Sequence, residues 1–312
     1  MGKTAIIFPG QGAQHVGMAK DVADAYASAR RTFEQANDLL GFDLAGICFN
    51  GPTDRLDATD VSQPAIFVAS VAMWRAAEEA GVTDVLRPAA AAGLSLGEYT
   101  ALWLAGSLTF EDGLRLVRLR GQFMQAASDA VPSGMISVMG LPAEEVDELC
   151  REAAGQDVLG PANFNCPGQI VISGAKAACE RAMALIDARG GRGAALRVAG
   201  AFHSPLMQPA AERLREALVE APIQPPRLPV VSNVTADYHR GPDEIRELLF
   251  QQVARPIRWQ QSIERLAAGG FDRFAEVGPG RVLTGLLRKI NRALTGLNYS
   301  TVEAFGGAGA AR

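Results

Sequence analysis

Short apolar runs bounded by glycine and proline alternate along the chain with longer stretches whose apolar residues recur at helical spacing. The first run, residues 4–8, reads as a buried strand, and Pro9-Gly10-Gln11-Gly12-Ala13-Gln14 ends it in a backbone-exposing loop from which a helix is expected to follow. Helical patterns cover 21–40, 64–80, 98–105 and 110–127. The small-residue segment 89–93 leads, as a strand, into Leu94-Ser95-Leu96-Gly97.

Between 129 and 198 the pattern changes. Apolar 135–139, helical 143–154, extended 158–165, apolar 170–173, helical 175–189 and apolar 194–198 run in the order β-α-β-β-α-β, that of a ferredoxin-like unit. We therefore expect an insert at 129–198 within a larger unit made of 1–128 and 199–312. Segments 213–220, 228–232, 257–266 and 274–277 resume the helix and strand alternation, which favours an α/β fold with a parallel sheet covered by helices. The glycine- and alanine-rich tail 305–312 is expected to be disordered.

Composition narrows the function classes. At 312 residues, 48% hydrophobic and 21% charged, the chain has material for two compact cores. Thirty Lys and Arg against 34 Asp and Glu give a net charge of -4 and no general attraction to phosphate backbones, so no nucleic acid is expected as a partner. The opening apolar run is too brief for a signal-peptide core. No stretch reaches the roughly 18 apolar residues of a membrane span, so a cytoplasmic protein off the membrane is expected. Cys48, Cys150, Cys166 and Cys179 form no C-x-x-C pair, and with three histidines they offer neither metal-ligand spacing nor a disulfide framework.

Candidate chemistry begins at Gly93-Leu94-Ser95-Leu96-Gly97. This G-x-S-x-G match between a strand and a helix is the context in which a sharp turn lifts a serine into a pocket, and the N–H of Leu96 is then available to an oxyanion. The bland alternative is a serine-capped turn. A serine hydroxyl needs a base, and the histidines are His15, His203 and His239. His239 lies in a polar turn and His15 follows the first glycine loop, which leaves His203, after an apparent strand, as the best-placed base. No Asp or Glu announces itself as an orienting third member.

The loop from Gly10 to His15 begins like a dinucleotide fingerprint but has His at the sixth position, so nucleotide binding is rejected. A second oxyanion N–H is the other reading of that loop. On a helical wheel with Leu114 at zero, Arg120 falls near 240°, within the apolar arc of Leu116, Val117, Phe123 and Met124 at roughly 180° to 300°. A guanidinium pointing inward requires a carboxylate, supplied either by an internal Asp or Glu or by a substrate.

Taken together, Gly10-Gln11-Gly12-Ala13-Gln14, Gly93-Leu94-Ser95-Leu96-Gly97-Glu98-Tyr99, Arg120, the run from Asn163 to Gln169, and Phe202-His203-Ser204 resemble the malonyl-CoA:acyl carrier protein transacylases of fatty acid and polyketide synthesis. The resemblance continues through the run from Gln252 to Trp259 and through Glu276-Val277-Gly278-Pro279-Gly280. It implies an α/β-hydrolase-like large subdomain with a ferredoxin-like insert. By motif, it makes Ser95 the nucleophile, His203 the base, Arg120 the malonyl carboxylate anchor, and Gln11 with Leu96 the oxyanion N–H pair. Gln252 takes the place of a triad acid by orienting the histidine through its backbone carbonyl. Asn163, Asn165 and Phe202 are the further substrate-contacting positions.

The implied reaction is ping-pong transfer of malonyl from malonyl-CoA to the phosphopantetheine thiol of acyl carrier protein, by a monomer with no bound cofactor. Phe202 matches the malonyl-selecting form of its loop, where methylmalonyl enzymes tend to carry Ser. Leu94 departs from the family, many members having His before the nucleophile. A serine thioesterase or hydrolase uses the same Ser and His, and a silent carrier-binding module shares the fold. Arg281, Arg288, Lys289 and Arg292, along one C-terminal helical stretch, are the candidate basic patch for an acidic carrier protein, with a plain solvated face as the alternative.

Overall fold

The computed structural model describes residues 2–306. Its strands are β1 (Lys3–Phe8), β2 (Pro88–Gly93), β3 (Ser133–Met139), β4 (Leu159–Cys166), β5 (Gln169–Ala175), β6 (Arg192–Ala195), β7 (Phe271–Val277) and β8 (Thr295–Tyr299). They form two separate sheets. The first, in the order β2-β1-β7-β8, is parallel throughout, and the second, in the order β4-β5-β3-β6, is antiparallel.

In β1, Ala5 through Phe8 are fully buried, as a strand in a sheet covered on both faces requires. β2 is alanine from Ala89 to Ala92; the helix Gly97–Leu104 packs against it and in turn against the helix Thr59–Glu79. That helix is buried along almost its whole length, so its apolar residues define no single face. It packs along the helix Phe110–Ala130. The antiparallel sheet carries the helices Ala143–Ala154 and Lys176–Ala188 and has its own apolar cluster around Ile136, Val146 and Ile172. It joins the rest of the molecule at β4, where Phe164 N–H donates to Ile257 O at 2.9 Å and Ile257 N–H to Ala162 O at 2.8 Å.

Several expectations need correction. No helix follows the first loop directly, since turns run to Ala19 before the helix Lys20–Ala25. The pattern at 21–40 is two helices, broken where Tyr26 is extended and its ring packs edge-on against Phe305. The helix placed at 64–80 begins five residues earlier at Thr59. Pro64 is accommodated inside it at the loss of one ladder hydrogen bond, which brings Gln63 into the helix. Residues 228–232 form isolated bridges, Val230 parallel to Ala91 and Val231 antiparallel to Tyr238, instead of a full strand. Ile257 is a bridge residue, and the helix there starts at Trp259.

The strand expected at 194–198 is Arg192–Ala195, displaced toward the N-terminus. Helix Pro242–Ala254 and strand β8 were not anticipated. Phe305, expected in a disordered tail, is 2% exposed in the helix Val302–Gly306, and 307–312 lie outside the described residues. Among the described residues no helix is long and apolar enough to cross a membrane, and no group of three or more His, Cys, Asp and Glu is arranged to hold a metal ion.

Candidate active site

β2 ends at Gly93, helix Gly97–Leu104 begins at Gly97, and Ser95 turns the corner between them with φ 52°. The left-handed region costs a residue with a side chain roughly 1–2 kcal/mol, so the surroundings must enforce it. They do so through Asn233. Ser95 N–H donates to Asn233 Oδ1 at 2.6 Å, and Asn233 Nδ2 donates to Gly93 O at 2.8 Å. A Cβ on Gly93 would lie 1.9 Å from the Gly97 carbonyl carbon, and one on Gly97 would lie 2.2 Å from Phe8 O. The turn therefore closes only with glycine at both ends.

His203, also in the left-handed region with φ 58°, faces the serine across a buried contact: Ser95 Oγ and His203 Nε2 are 2.8 Å apart. On the other side of the ring, Nδ1 lies 2.7 Å from Gln252 O. A backbone carbonyl can only accept, so Nδ1 carries the hydrogen. In the neutral ring Nε2 is then the bare nitrogen that accepts the Ser95 hydroxyl proton. Burial, and next the charge of Arg120, lower the His203 pKa to about 3, against the opposing effect of the Gln252 carbonyl. The ring is therefore neutral at ordinary pH, the form in which it can act as a base.

Arg120 is 1% exposed, in agreement with its inward position on the wheel. Its terminal nitrogens donate to Gln63 Oε1 at 2.8 Å, Ser95 Oγ at 3.0 Å and Gln252 Oε1 at 3.1 Å, all neutral oxygens. Nε has no partner among the described residues, and burial pushes the guanidinium pKa down. Among the described residues no carboxylate touches the guanidinium; Glu98 acts on it only at longer range. A buried cation held by neutral groups alone is an expensive arrangement, and it leaves the site electrostatically prepared for an anion.

The remaining candidates surround this cluster. Gln11, Leu94, Asn163, Asn165, Phe202 and Val282 help to line a cleft of about 180 Å³ into which Ser95, Arg120 and His203 open. Strand β4 and the loop before His203 bring the Asn163, Asn165 and Phe202 wall. The glycine loop after β1 brings Gln11. Neither Gln11 N–H nor Leu96 N–H donates a hydrogen bond to another described residue. Ser95, His203, Gln252, Arg120, Gln11, Leu96, Asn163, Asn165 and Phe202 thus come from six separate stretches of chain to one place. Leu94 lines the same cleft, and its N–H is held by Phe8 O at 3.1 Å.

The model of the acyl transferase domain family matches residues 5–303. The chain belongs to this family. It is 43% identical over 299 residues to the malonyl CoA-acyl carrier protein transacylase of Escherichia coli strain K12, covering 95% of each chain. The malonyl-CoA:acyl carrier protein transacylase of Xanthomonas oryzae pv. oryzae superposes with a TM-score of 0.93 at 43% identity, over 100% of this chain and 98% of that one. A malonyl-transacylase solved in complex with its type II PKS acyl-carrier protein superposes with a TM-score of 0.92 at 39% identity, over 99% and 100%.

In this acyltransferase, four residues of the buried network are given no role from the sequence: Gln63, Glu98 and Asn233, and His239, which is weighed there as a base and passed over. Glu98 carried a legible signal, being the one charged residue in the otherwise uncharged helix Gly97–Leu104. His239, expected in a polar turn, has a fully buried side chain 2.8 Å from Glu98. It does not touch Ser95. His15 stays in its loop, with Nδ1 3.3 Å from Ala13 O.

Proposed function

We propose that this acyltransferase moves the malonyl group from malonyl-CoA to the phosphopantetheine thiol of an acyl carrier protein through a malonyl-serine intermediate. The observation that carries the proposal is Arg120: a buried guanidinium with neutral partners, within hydrogen-bond reach of the Ser95 hydroxyl. Malonyl ends in a carboxylate that a planar guanidinium binds through two parallel hydrogen bonds, and acetyl does not.

In the first half-reaction Ser95 Oγ attacks the thioester carbonyl while His203 Nε2 takes its proton. Gln11 N–H and Leu96 N–H donate to the oxyanion, and Gln252 O holds the ring in the tautomer that leaves Nε2 free. The carbon–sulfur bond breaks, and coenzyme A leaves as a thiol with the proton from His203. A substrate carboxylate on Arg120 also offsets the charge that helps to hold down the His203 pKa, so binding the correct acyl group strengthens the base. In the second half-reaction the carrier thiol gives its proton to His203 and attacks the ester. Serine is regenerated, and neither metal nor nucleotide is needed. Asn163, Asn165 and Phe202 are the substrate-facing wall of the cleft, and Phe202 restricts substitution next to the carboxylate.

The same reading treats 1–128 with 199–312 as the catalytic subdomain and 129–198 as the ferredoxin-like insert that closes the cleft. It places the protein in the cytoplasm as a monomer without a bound cofactor. Helix Val282–Ile290 contributes Val282 and Leu286 to the cleft and carries Arg288 and Lys289 on its exposed side, which makes this face the docking surface for an acidic carrier protein. Incubation with malonyl-CoA followed by peptide mass spectrometry tests the first half-reaction. A malonyl adduct on Ser95 is expected, and an adduct elsewhere would overturn the assignment.

A further inference from the structure

Glu98 is fully buried, in the first turn of the helix that follows Ser95. Its Oε2 accepts from Gln252 Nε2 at 2.7 Å and from Asn233 N–H at 3.0 Å, and its Oε1 lies 2.8 Å from His239 Nε2. Each partner but His239 leads back to the reacting groups in one step. Gln252 Nε2 also donates to Ser95 O at 3.0 Å, Gln252 Oε1 accepts from Arg120, and Asn233 Oδ1 accepts from Ser95 N–H. The amide of Gln252 is thus fixed from both ends, by a cation at its oxygen and a carboxylate at its nitrogen, and its backbone carbonyl is the one that orients His203.

His239 shows where the balancing charge sits. A carboxylate accepts, so His239 Nε2 carries the hydrogen, while Nδ1 is buried with no partner among the described residues. A neutral ring leaves only a lone pair unsatisfied at Nδ1, whereas a cationic ring would strand an N–H there at greater cost. The buried positive counterpart of Glu98 is then Arg120, on the far side of the Gln252 amide. A carboxylate in direct contact with Arg120 would occupy the guanidinium fork. At one amide's remove it balances the charge and leaves the fork open.

We propose that Glu98 is a positioning residue which, through Gln252 and Asn233, balances Arg120 and fixes the Ser95 turn while keeping the guanidinium available to a substrate carboxylate. The proposal rests on the malonyl-transfer reading for its substrate and on the elbow geometry for its effect on Ser95. In Glu98→Gln the new amide nitrogen either faces the Asn233 and Gln252 donors, which sets donor against donor, or faces His239 Nε2 and drives the ring into the tautomer that strands a buried N–H at Nδ1. The double variant Glu98→Gln/Gln252→Glu keeps one acid and one amide but moves the acid against Arg120.

The test measures four quantities in the full chain: the rate of malonyl-serine formation at saturating malonyl-CoA, kcat/KM for malonyl-CoA relative to acetyl-CoA, the rate of Ser95 labelling by a fluorophosphonate, and the folded fraction by circular dichroism. For Glu98→Gln we expect a folded protein with both rates lowered roughly tenfold or more. A folded variant with wild-type rates would overturn the proposal. For the double variant we expect malonyl-CoA kcat/KM to fall roughly a hundredfold while acetyl-CoA kcat/KM falls far less, because the internal acid now caps the fork. A wild-type malonyl-to-acetyl ratio in that variant, or failure of both variants to fold, would reduce Glu98 to a structural residue. Fluorophosphonate labelling separates the two readings: wild-type protein that is labelled at Ser95 yet takes no malonyl group would defeat malonyl transfer, while the labelling rates still judge Glu98.

Discussion

Arg120 donates from a terminal guanidinium nitrogen to the Ser95 hydroxyl at 3.0 Å, so the buried cation and the elbow serine are in direct contact. If the cation exists to receive a carboxylate, Arg120→Ala lowers kcat/KM for malonyl-CoA on the order of 10- to 100-fold more than for acetyl-CoA. Acetyl transfer rises if removal of the uncompensated charge dominates. Arg120→Lys restores malonyl transfer only in part, since a point charge lacks the fork. Paired steady-state rates with thermal unfolding check this. A uniform loss with a lowered Tm would assign Arg120 to folding alone.

Ser95 Oγ and His203 Nε2 are 2.8 Å apart, and in the proposed mechanism they handle the same proton. Ser95→Ala is expected to abolish the covalent adduct. His203→Ala keeps the fold but slows acylation and deacylation alike, by at least about a hundredfold, since one base serves both thiol exchanges. Rapid-quench measurement of each half-reaction decides it, and loss confined to one half-reaction would contradict a shared base.

The low pKa of His203 has two pH consequences. Its folded value of about 3 lies below the ordinary 6.5, so the unfolded state binds the extra proton first. The contribution of this group to stability is complete above pH 6.5 and is lost as pH falls toward 3, by at most roughly 1.4 kcal/mol per pH unit. Urea unfolding at pH 7 and pH 4.5 is expected to show a smaller decline for His203→Gln than for the wild type. In activity, removing the charge of Arg120 raises the His203 pKa, so the acid limb for acetyl transfer lies at higher pH in Arg120→Ala than in the wild type. An unmoved limb would show that Arg120 does not act on the ring.

Arg281, Arg288, Lys289 and Arg292 are exposed, and none of them forms an ion pair with another described residue. Arg281 precedes the helix Val282–Ile290 and Arg292 lies just beyond it, so the patch spans the helix and both its ends. Reversing Arg288 and Lys289 to Glu is expected to raise the apparent KM for carrier protein and to leave that for malonyl-CoA nearly unchanged. Equal KM values for both substrates in variant and wild type would remove this face from the docking model.

The parts of the site legible in the sequence are those whose chemistry is local. The Gly93 to Gly97 turn depends on the absence of two side chains, and the burial of Arg120 depends on the phase of one helix, so a short window reveals each. The supporting network is non-local. Asn233 lies 138 residues from the Ser95 N–H it accepts, and His239 lies 141 from Glu98, so no spacing along the chain announces either contact. Gln252 could be placed only by resemblance, since it orients His203 through a backbone carbonyl that every residue has. The misread boundaries have a similar origin. Pro64 looks like a helix start because it fits the first turn well, and only packing along Phe110–Ala130 reveals the turn that precedes it.

Transfer, as opposed to hydrolysis, is the central claim, and a chase experiment addresses it most directly. Protein loaded with radiolabelled malonyl at Ser95 is freed of malonyl-CoA, then mixed with holo acyl carrier protein or with buffer alone, and label is followed on enzyme, carrier and free malonate. We expect label to remain on the enzyme in buffer and to appear on the carrier thiol when carrier is added. Release as free malonate at the same rate with or without carrier would contradict the account and make the protein a hydrolase.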